Sequence, residues 1–133
     1  YEAEIERAGS DVTIIGLQTT LPLAHEAAEQ LAAKGVSAEI IDLRTVAPYD
    51  KETLRDSVAK TGRLVIAQEG PKNGGWAAEL SAMISEDLFE YLRGPIKRVT
   101  SMDVPIAFAP VLEEFVLPKT EQIVAACEAL MDY

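Results

Sequence analysis

Short β-branched apolar runs alternate along this chain with helix-length stretches that carry one apolar stripe and end at glycine, and that alternation leaves few folds open. Val12-Thr13-Ile14-Ile15-Gly16-Leu17 follows the turn residues Gly9-Ser10-Asp11, as a strand buried on both faces would. Leu23, Ala27 and Leu31 then recur at four-residue spacing beside Ala24, Ala28 and Ala32, and Gly35 stands at the C-cap position of the helix they predict. Val36 to Leu43 reads as a second strand. Asp50 is the expected N-cap of a second helix, with Leu54 and Val58 on its apolar face and Gly62 as its stop. Leu64-Val65-Ile66-Ala67 reads as a third strand, and Gly74-Gly75 opens a helix that faces inward through Ala77, Leu80, Ile84, Leu88 and Tyr91. Gly94-Pro95 closes it before a fourth strand around Ile96 to Thr100. Strands that alternate with helices need crossover connections, so the prediction is an α/β three-layer sandwich, a mostly parallel sheet with helices on both faces.

The tail differs. Pro105, Pro110 and Pro118 punctuate an apolar stretch that cannot be a central strand, because proline removes a ladder donor, and an extended surface segment is expected there. A last helix, beginning near Thr120, presents Ile123, Val124, Cys127, Leu130 and Met131 on one face. With 133 residues, 48% of them apolar, the chain has the material for one core and not for two, so residues 1–133 are read as one domain.

Charge narrows the function. Twelve Lys and Arg stand against 22 Asp and Glu, a net charge of -10, so phosphate backbones and anionic membranes are repelled and nucleic-acid and membrane-surface roles rank last. Either the charge serves solubility, or it meets a basic protein partner. One cysteine, Cys127, cannot form an internal disulfide, which suits a reducing compartment, and no Cys/His cluster has metal-ligand spacing. Tyr1 to Arg7 has no positive region followed by an apolar one, and no run reaches membrane-spanning length; the expected location is cytoplasmic, or the mitochondrial matrix in a eukaryote.

A doubly wound sheet binds ligands beyond the carboxyl ends of its strands, yet the loops after Leu17, Leu43, Ala67 and Thr100 carry no dinucleotide fingerprint, P-loop, nucleophile elbow or metal motif. Gly70-Pro71-Lys72-Asn73-Gly74-Gly75 is glycine-rich. Its backbone N–H groups at a helix N-terminus could hold an anion, or its glycines could serve only tight turning and close packing of the Trp76 helix. His25, with Glu29 at i+4, falls on the flank opposite the apolar stripe and suits a surface or interface role better than general-base work. Cys127 on an apolar helix face reads as a small hydrophobe. Trp76, Phe108, Phe115, Val116 and Leu117 are either core or a docking patch, with Asp103, Glu113 and Glu114 flanking the latter as a rim that could recognise a basic partner.

Several stretches are familiar as a set: Asp11-Val12-Thr13-Ile14; Glu39-Ile40-Ile41-Asp42-Leu43-Arg44-Thr45-Val46-Ala47-Pro48; Lys60-Thr61-Gly62-Arg63-Leu64; Glu69-Gly70-Pro71 with Gly74-Gly75-Trp76-Ala77-Ala78-Glu79; and Arg98-Val99 followed by Asp103-Val104-Pro105. In order and spacing, from about Ala3 to Tyr133, they resemble the C-terminal domain of the β subunit of 2-oxo acid dehydrogenases of the pyruvate, branched-chain and acetoin types. The resemblance implies a transketolase C-terminal domain fold with about five strands. It also implies a parent enzyme that decarboxylates a 2-oxo acid on thiamine diphosphate with a divalent metal such as Mg and acylates a lipoyl group. The cofactor pocket and catalytic residues then lie in other domains and in the α subunit, so no catalytic, cofactor or metal residue is assigned in this chain. The expected partners are a second β subunit, the α subunit in an α2β2 assembly, and the subunit-binding domain of the dihydrolipoyl acyltransferase, with Gly74, Gly75, Trp76, Asp103, Glu113 and Glu114 as candidate interface residues.

Two departures touch functional positions. Where the family has a pattern like Gly-x-Met-Val-His, this chain reads Gln18-Thr19-Thr20-Leu21-Pro22, so the family histidine's role does not pass to His25. Where the family commonly has an acidic residue that meets the acyltransferase, this chain has Arg93. Rival readings are the C-terminal domain of a transketolase or deoxyxylulose-phosphate synthase, and a stand-alone module that binds an anion at Gly74-Gly75.

Overall fold

A computed structural model describes residues 2–102 and 117–133. Five strands form one sheet in the order β1-β3-β2-β4-β5: β1 (Glu4–Arg7), β2 (Val12–Gly16), β3 (Ala38–Asp42), β4 (Leu64–Pro71) and β5 (Lys97–Ser101). The last four are mutually parallel, and β1 alone runs antiparallel, along the outer edge of β3. Among the described residues four helices accompany them: α1 (Thr20–Ala33), α2 (Lys51–Thr61), α3 (Trp76–Leu88) and α4 (Thr120–Leu130).

Adjacent residues of β2 divide the core between two layers, since successive side chains point to opposite faces of a strand. Val12 and Ile14 join Ile40, Val65 and Ala67 against α1 and α4, through Ala24, Ala28, Leu31, Ile123, Val124, Cys127 and Leu130. Ile15 joins Ile41, Leu64 and Ile66 against α2 and α3, through Leu54, Val58, Leu80, Ile84 and Leu88. The expected three-layer α/β sandwich is therefore the one observed, with both faces of the sheet covered.

Helix ends follow local chemistry. Asp50 caps α2, its Oδ1 accepting from the Thr53 N–H at 3.1 Å while Oδ2 accepts from the Thr53 hydroxyl at 2.7 Å and the Ala3 N–H at 2.9 Å. Gly62 ends α2 at φ 71°, and its N–H returns to the Val58 carbonyl at 2.7 Å. A Cβ there would also lie 2.4 Å from the side chain of exposed Arg93, which would have to move aside, so the positive φ is what reserves position 62 for glycine.

Several elements differ from expectation. The second predicted strand loses Val36 and Ser37 at its start, because Gly35 at φ 81° ends α1 in a turn whose Val36 N–H still reaches the Leu31 carbonyl. The third extends to Pro71, which pairs with Ser101 on the far side of a register shift. Helix α3 stops at Leu88, and Tyr91 falls in a 3₁₀ turn, Phe89–Tyr91. The strand β1 was not anticipated from the glutamates of the N-terminal stretch. Pro105 and Pro110 lie outside the described residues, whereas Pro118 is buried at the entry to α4.

Candidate functional site

Strand order reverses between β2 and β4, so the crevice beyond their carboxyl ends is where a doubly wound sheet places a ligand. A cleft of about 470 Å³ opens there, lined by Leu17, Gln18, Thr19, Arg44, Glu69, Gly70 and Trp76. Gln18 (φ 51°) and Arg44 (φ 63°) are the non-glycine residues with positive φ among those described, and both line it. Such backbone costs about 1–3 kcal/mol per residue and concentrates at functional or tightly packed sites. The cleft's charged groups are nevertheless engaged locally: Arg44 pairs with Glu4 and Asp42, and the Thr19 hydroxyl donates to Glu69. The buried Thr20 hydroxyl bridges the Ala67 carbonyl at 3.0 Å and the Leu17 backbone, locking the start of α1 to the ends of β2 and β4. Beside it lies a second cleft, where Leu117 and Pro118 meet Leu23 and Thr19.

The glycine-rich loop is occupied from within. Gln68, the last fully buried residue of β4, donates from Nε2 to the Pro71 carbonyl at 2.6 Å and accepts at Oε1 from the Ala77 N–H at 2.7 Å. The first turn of α3 thus spends a backbone N–H on the protein's own amide. Gly75 makes this arrangement fit, since a Cβ on it would stand 2.0 Å from Gln68 Nε2. Gly74, at φ 74°, faces open space, and Trp76 is half-buried against the layer of α2 and α3. The packing reading of these glycines therefore accounts for the geometry. Nor does the cleft suit a diphosphate: its one cation is paired, its carboxylate is tied to Thr19, and the adjoining helix terminus is filled.

Of the six candidate interface residues, Gly74, Gly75 and Trp76 are brought together at this carboxyl edge; Asp103, Glu113 and Glu114 lie outside the described residues, as do Phe108, Phe115 and Val116. His25 is on the surface as expected, but its partner is not Glu29. Its Nε2 lies 2.8 Å from Glu6 of β1, while Glu29 pairs with Arg7. Cys127 is fully buried, and burial, followed by the charge of Glu128, pushes its thiol up to about 12, so it stays protonated and packs as a hydrophobe. Glu4, Glu6 and Asp42 bring carboxylate oxygens within 4.8 Å of one another, with Arg44 paired to Glu4 and Asp42 and the His25 ring against Glu6.

At the amino end of the sheet are buried polar groups that sequence reasoning missed. Arg63, nearly buried, donates from Nε to the Leu130 carbonyl (3.0 Å), from Nη1 to the Asp11 carbonyl (3.2 Å) and from Nη2 to the Tyr133 carbonyl (2.6 Å), fastening the end of α4 to the sheet. Thr13 shares hydrogen bonds with Ser57 (2.7 Å) and Thr61 (2.8 Å) beneath α2. Glu39 is buried too; desolvation alone would raise its carboxyl, but Lys60 and the Gly9 N–H hold it below its ordinary value. The one advance signal was the polar type of Thr13, Glu39 and Arg63 inside or beside apolar runs. Arg93 is exposed next to Gly62, with Tyr133 packed on Gly94 beside it.

Comparison with known proteins places this geometry. The family model described as transketolase, C-terminal domain, matches residues 1–123. The chain is 44% identical over 127 residues to the mitochondrial pyruvate dehydrogenase E1 component subunit beta of Dictyostelium discoideum, which covers 96% of this chain and 36% of that protein. It is 41% identical over 132 residues to the mitochondrial 2-oxoisovalerate dehydrogenase subunit beta 2 of Arabidopsis thaliana, covering 99% and 36%. The chain thus spans about a third of the length of the curated relatives it matches. Among solved structures, a split-gene transketolase superposes with a TM-score of 0.84 at 30% identity, over 98% of this chain and 41% of that one. A 2-oxoglutarate:ferredoxin oxidoreductase from Magnetococcus marinus shares the fold, with a TM-score of 0.66 at 17% identity over 98% of this chain and 20% of that one. The chain belongs to the transketolase C-terminal domain family, and the members it is similar to include the β subunits of pyruvate and 2-oxoisovalerate dehydrogenases.

Proposed function

We propose that this chain is the single C-terminal domain of the β subunit of a thiamine diphosphate-dependent 2-oxo acid dehydrogenase. It serves as the assembly unit: it pairs β subunits within an α2β2 enzyme and presents a surface to the subunit-binding domain of the acyltransferase. The observation that carries this reading is the 41–47% identity to β subunits of two such dehydrogenases over 88–99% of the chain. Three features support it. The charged groups of the switch-point cleft, Arg44 and Glu69, are engaged by neighbouring side chains. The charge of -10 suits a basic docking partner. The split-gene transketolase with this domain was solved as an inactive β4 tetramer, which favours association of β chains with one another.

On this reading thiamine diphosphate and its divalent metal are held by other domains and by the α subunit, and this chain contributes no group to the chemistry. Gly74, Gly75 and Trp76 shape one contact surface, and Asp103, Glu113 and Glu114 take part in recognising the acyltransferase. The relatives carry mitochondrial names, and among the described residues no helix is long and apolar enough to cross a membrane, which suits a matrix or cytoplasmic enzyme. The transketolase alternative has the same fold but lower identity, 30%. Arg93 stands where the resemblance implies an acidic contact, so docking in this chain relies on the remaining acidic surface.

The test is calorimetric titration of the chain with a basic acyltransferase subunit-binding domain at low and high salt. Binding that weakens steeply with salt supports the proposal, and no binding at low salt refutes the docking role.

A further inference from the structure

The edge strand β5 carries charge of the wrong sign for this chain. A cavity of about 440 Å³ lies along it, bounded by β5, by the loop after β4 and by α4, and it is lined by Lys72, Lys97, Arg98, Ser101 and Gln122 among others. No carboxylate is among its described lining residues, although acidic residues outnumber basic ones 22 to 12 in the sequence. Arg98 donates from Nη1 to the Lys72 carbonyl at 3.0 Å, which fixes the loop against the strand. Neither Lys72 nor Lys97 has an ion-pair partner among the described residues. At the end of β5, Ser101 is 2% exposed, and among the described residues its hydroxyl has no hydrogen-bond partner.

Cations on an edge strand also discourage pairing with a second chain, and that alone would explain Lys97. It does not explain Ser101, because buried hydroxyls are nearly always bonded and an orphan one calls for a missing partner. Lys72, Lys97, Arg98, Ser101 and Gln122 all line this one cavity, and between them they carry the donor types that a multivalent oxyanion takes. We propose that this cavity is a binding site for a phosphate group, as a phosphomonoester or inorganic phosphate. The site lies apart from the switch-point cleft and does not depend on the function proposed above.

The experiment is a titration of the chain with inorganic phosphate at constant ionic strength, followed by calorimetry and by backbone amide shifts. The expected result is saturable one-site binding, with shifts centred on Lys72, Asn73 and residues 97–102. Lys97→Gln with Arg98→Gln weakens it by about tenfold or more, the loss of at least one charge-assisted contact. Ser101→Ala weakens it severalfold at unchanged thermal stability, and Lys97→Arg retains it, which separates lost charge from lost fold. Shifts that grow linearly without saturating, or a double variant that binds as tightly as the parent, would overturn the site.

Discussion

Replacing Gly75 by alanine puts a single methyl group against the amide that organises the carboxyl edge. The backbone at Gly75, φ -83° and ψ 170°, suits any residue, so no conformational strain arises. The new Cβ would stand 2.0 Å from Nε2 and 2.5 Å from Oε1 of Gln68. The far end of a glutamine ordinarily swings aside, but this one is fully buried and bonded at both ends, to Pro71 and Ala77. Displacing it forfeits one buried and one partly buried hydrogen bond, about 1 kcal/mol each, and leaves the Ala77 N–H unpaired at a further cost of about 1–3 kcal/mol. Alanine's stiffer unfolded chain returns about 0.4–1 kcal/mol. The expected net loss is about 3 kcal/mol. Urea denaturation of the parent, Gly75→Ala, Gln68→Ala and the double variant measures it. With Gln68 already truncated, Gly75→Ala has nothing to displace and costs less than about 0.5 kcal/mol, a coupling of about 2 kcal/mol or more. Equal costs in the two backgrounds, or a neutral single variant, would refute the reasoning.

Arg63→Met removes the clamp on α4 and leaves the Leu130 carbonyl buried without its donor. A loss of about 3 kcal/mol is expected by urea denaturation, with Arg63→Lys recovering less than half because an ammonium cannot span three carbonyls. Cys127, with its thiol pushed up to about 12, stays unalkylated by iodoacetamide at pH 8 in the folded chain and reacts fully once unfolded; rapid labelling of the native chain would contradict its burial. Glu39 and Asp50 both titrate below their ordinary values of 4.5 and 3.8, so the stability they add is present above those values and is lost as pH falls through the lower, folded ones. Thermal stability should therefore fall below about pH 4.5, and Glu39→Gln with Asp50→Asn should flatten that acid limb.

What could be read in advance was set by neighbours in sequence. Asp50 and Gly62 mark α2 because capping and positive φ are decided within a few residues, and the stripes of α1, α3 and α4 announce themselves by spacing. Strand β1 could not be read the same way: Glu4, Ile5 and Glu6 are all exposed at a sheet edge, so no apolar periodicity betrays a strand. The pairs that settle the surface and the amino end are distant in sequence, Glu6 with His25, Arg7 with Glu29, Glu39 with Lys60, and Arg63 with the end of α4. Gln68 was within reach, since a glutamine closing a fully apolar strand needs partners, and Gly75 seven residues on makes the room for it. Of the candidate interface residues, Gly74, Gly75 and Trp76 share one edge of the sheet, brought there by internal packing of the loop.

Sedimentation velocity of the chain over a wide concentration range tests the assembly role most directly. The account predicts a reversible dimer at micromolar concentrations that takes up a basic acyltransferase subunit-binding domain in a salt-sensitive way. A species that stays monomeric at every concentration and ignores that domain would contradict it.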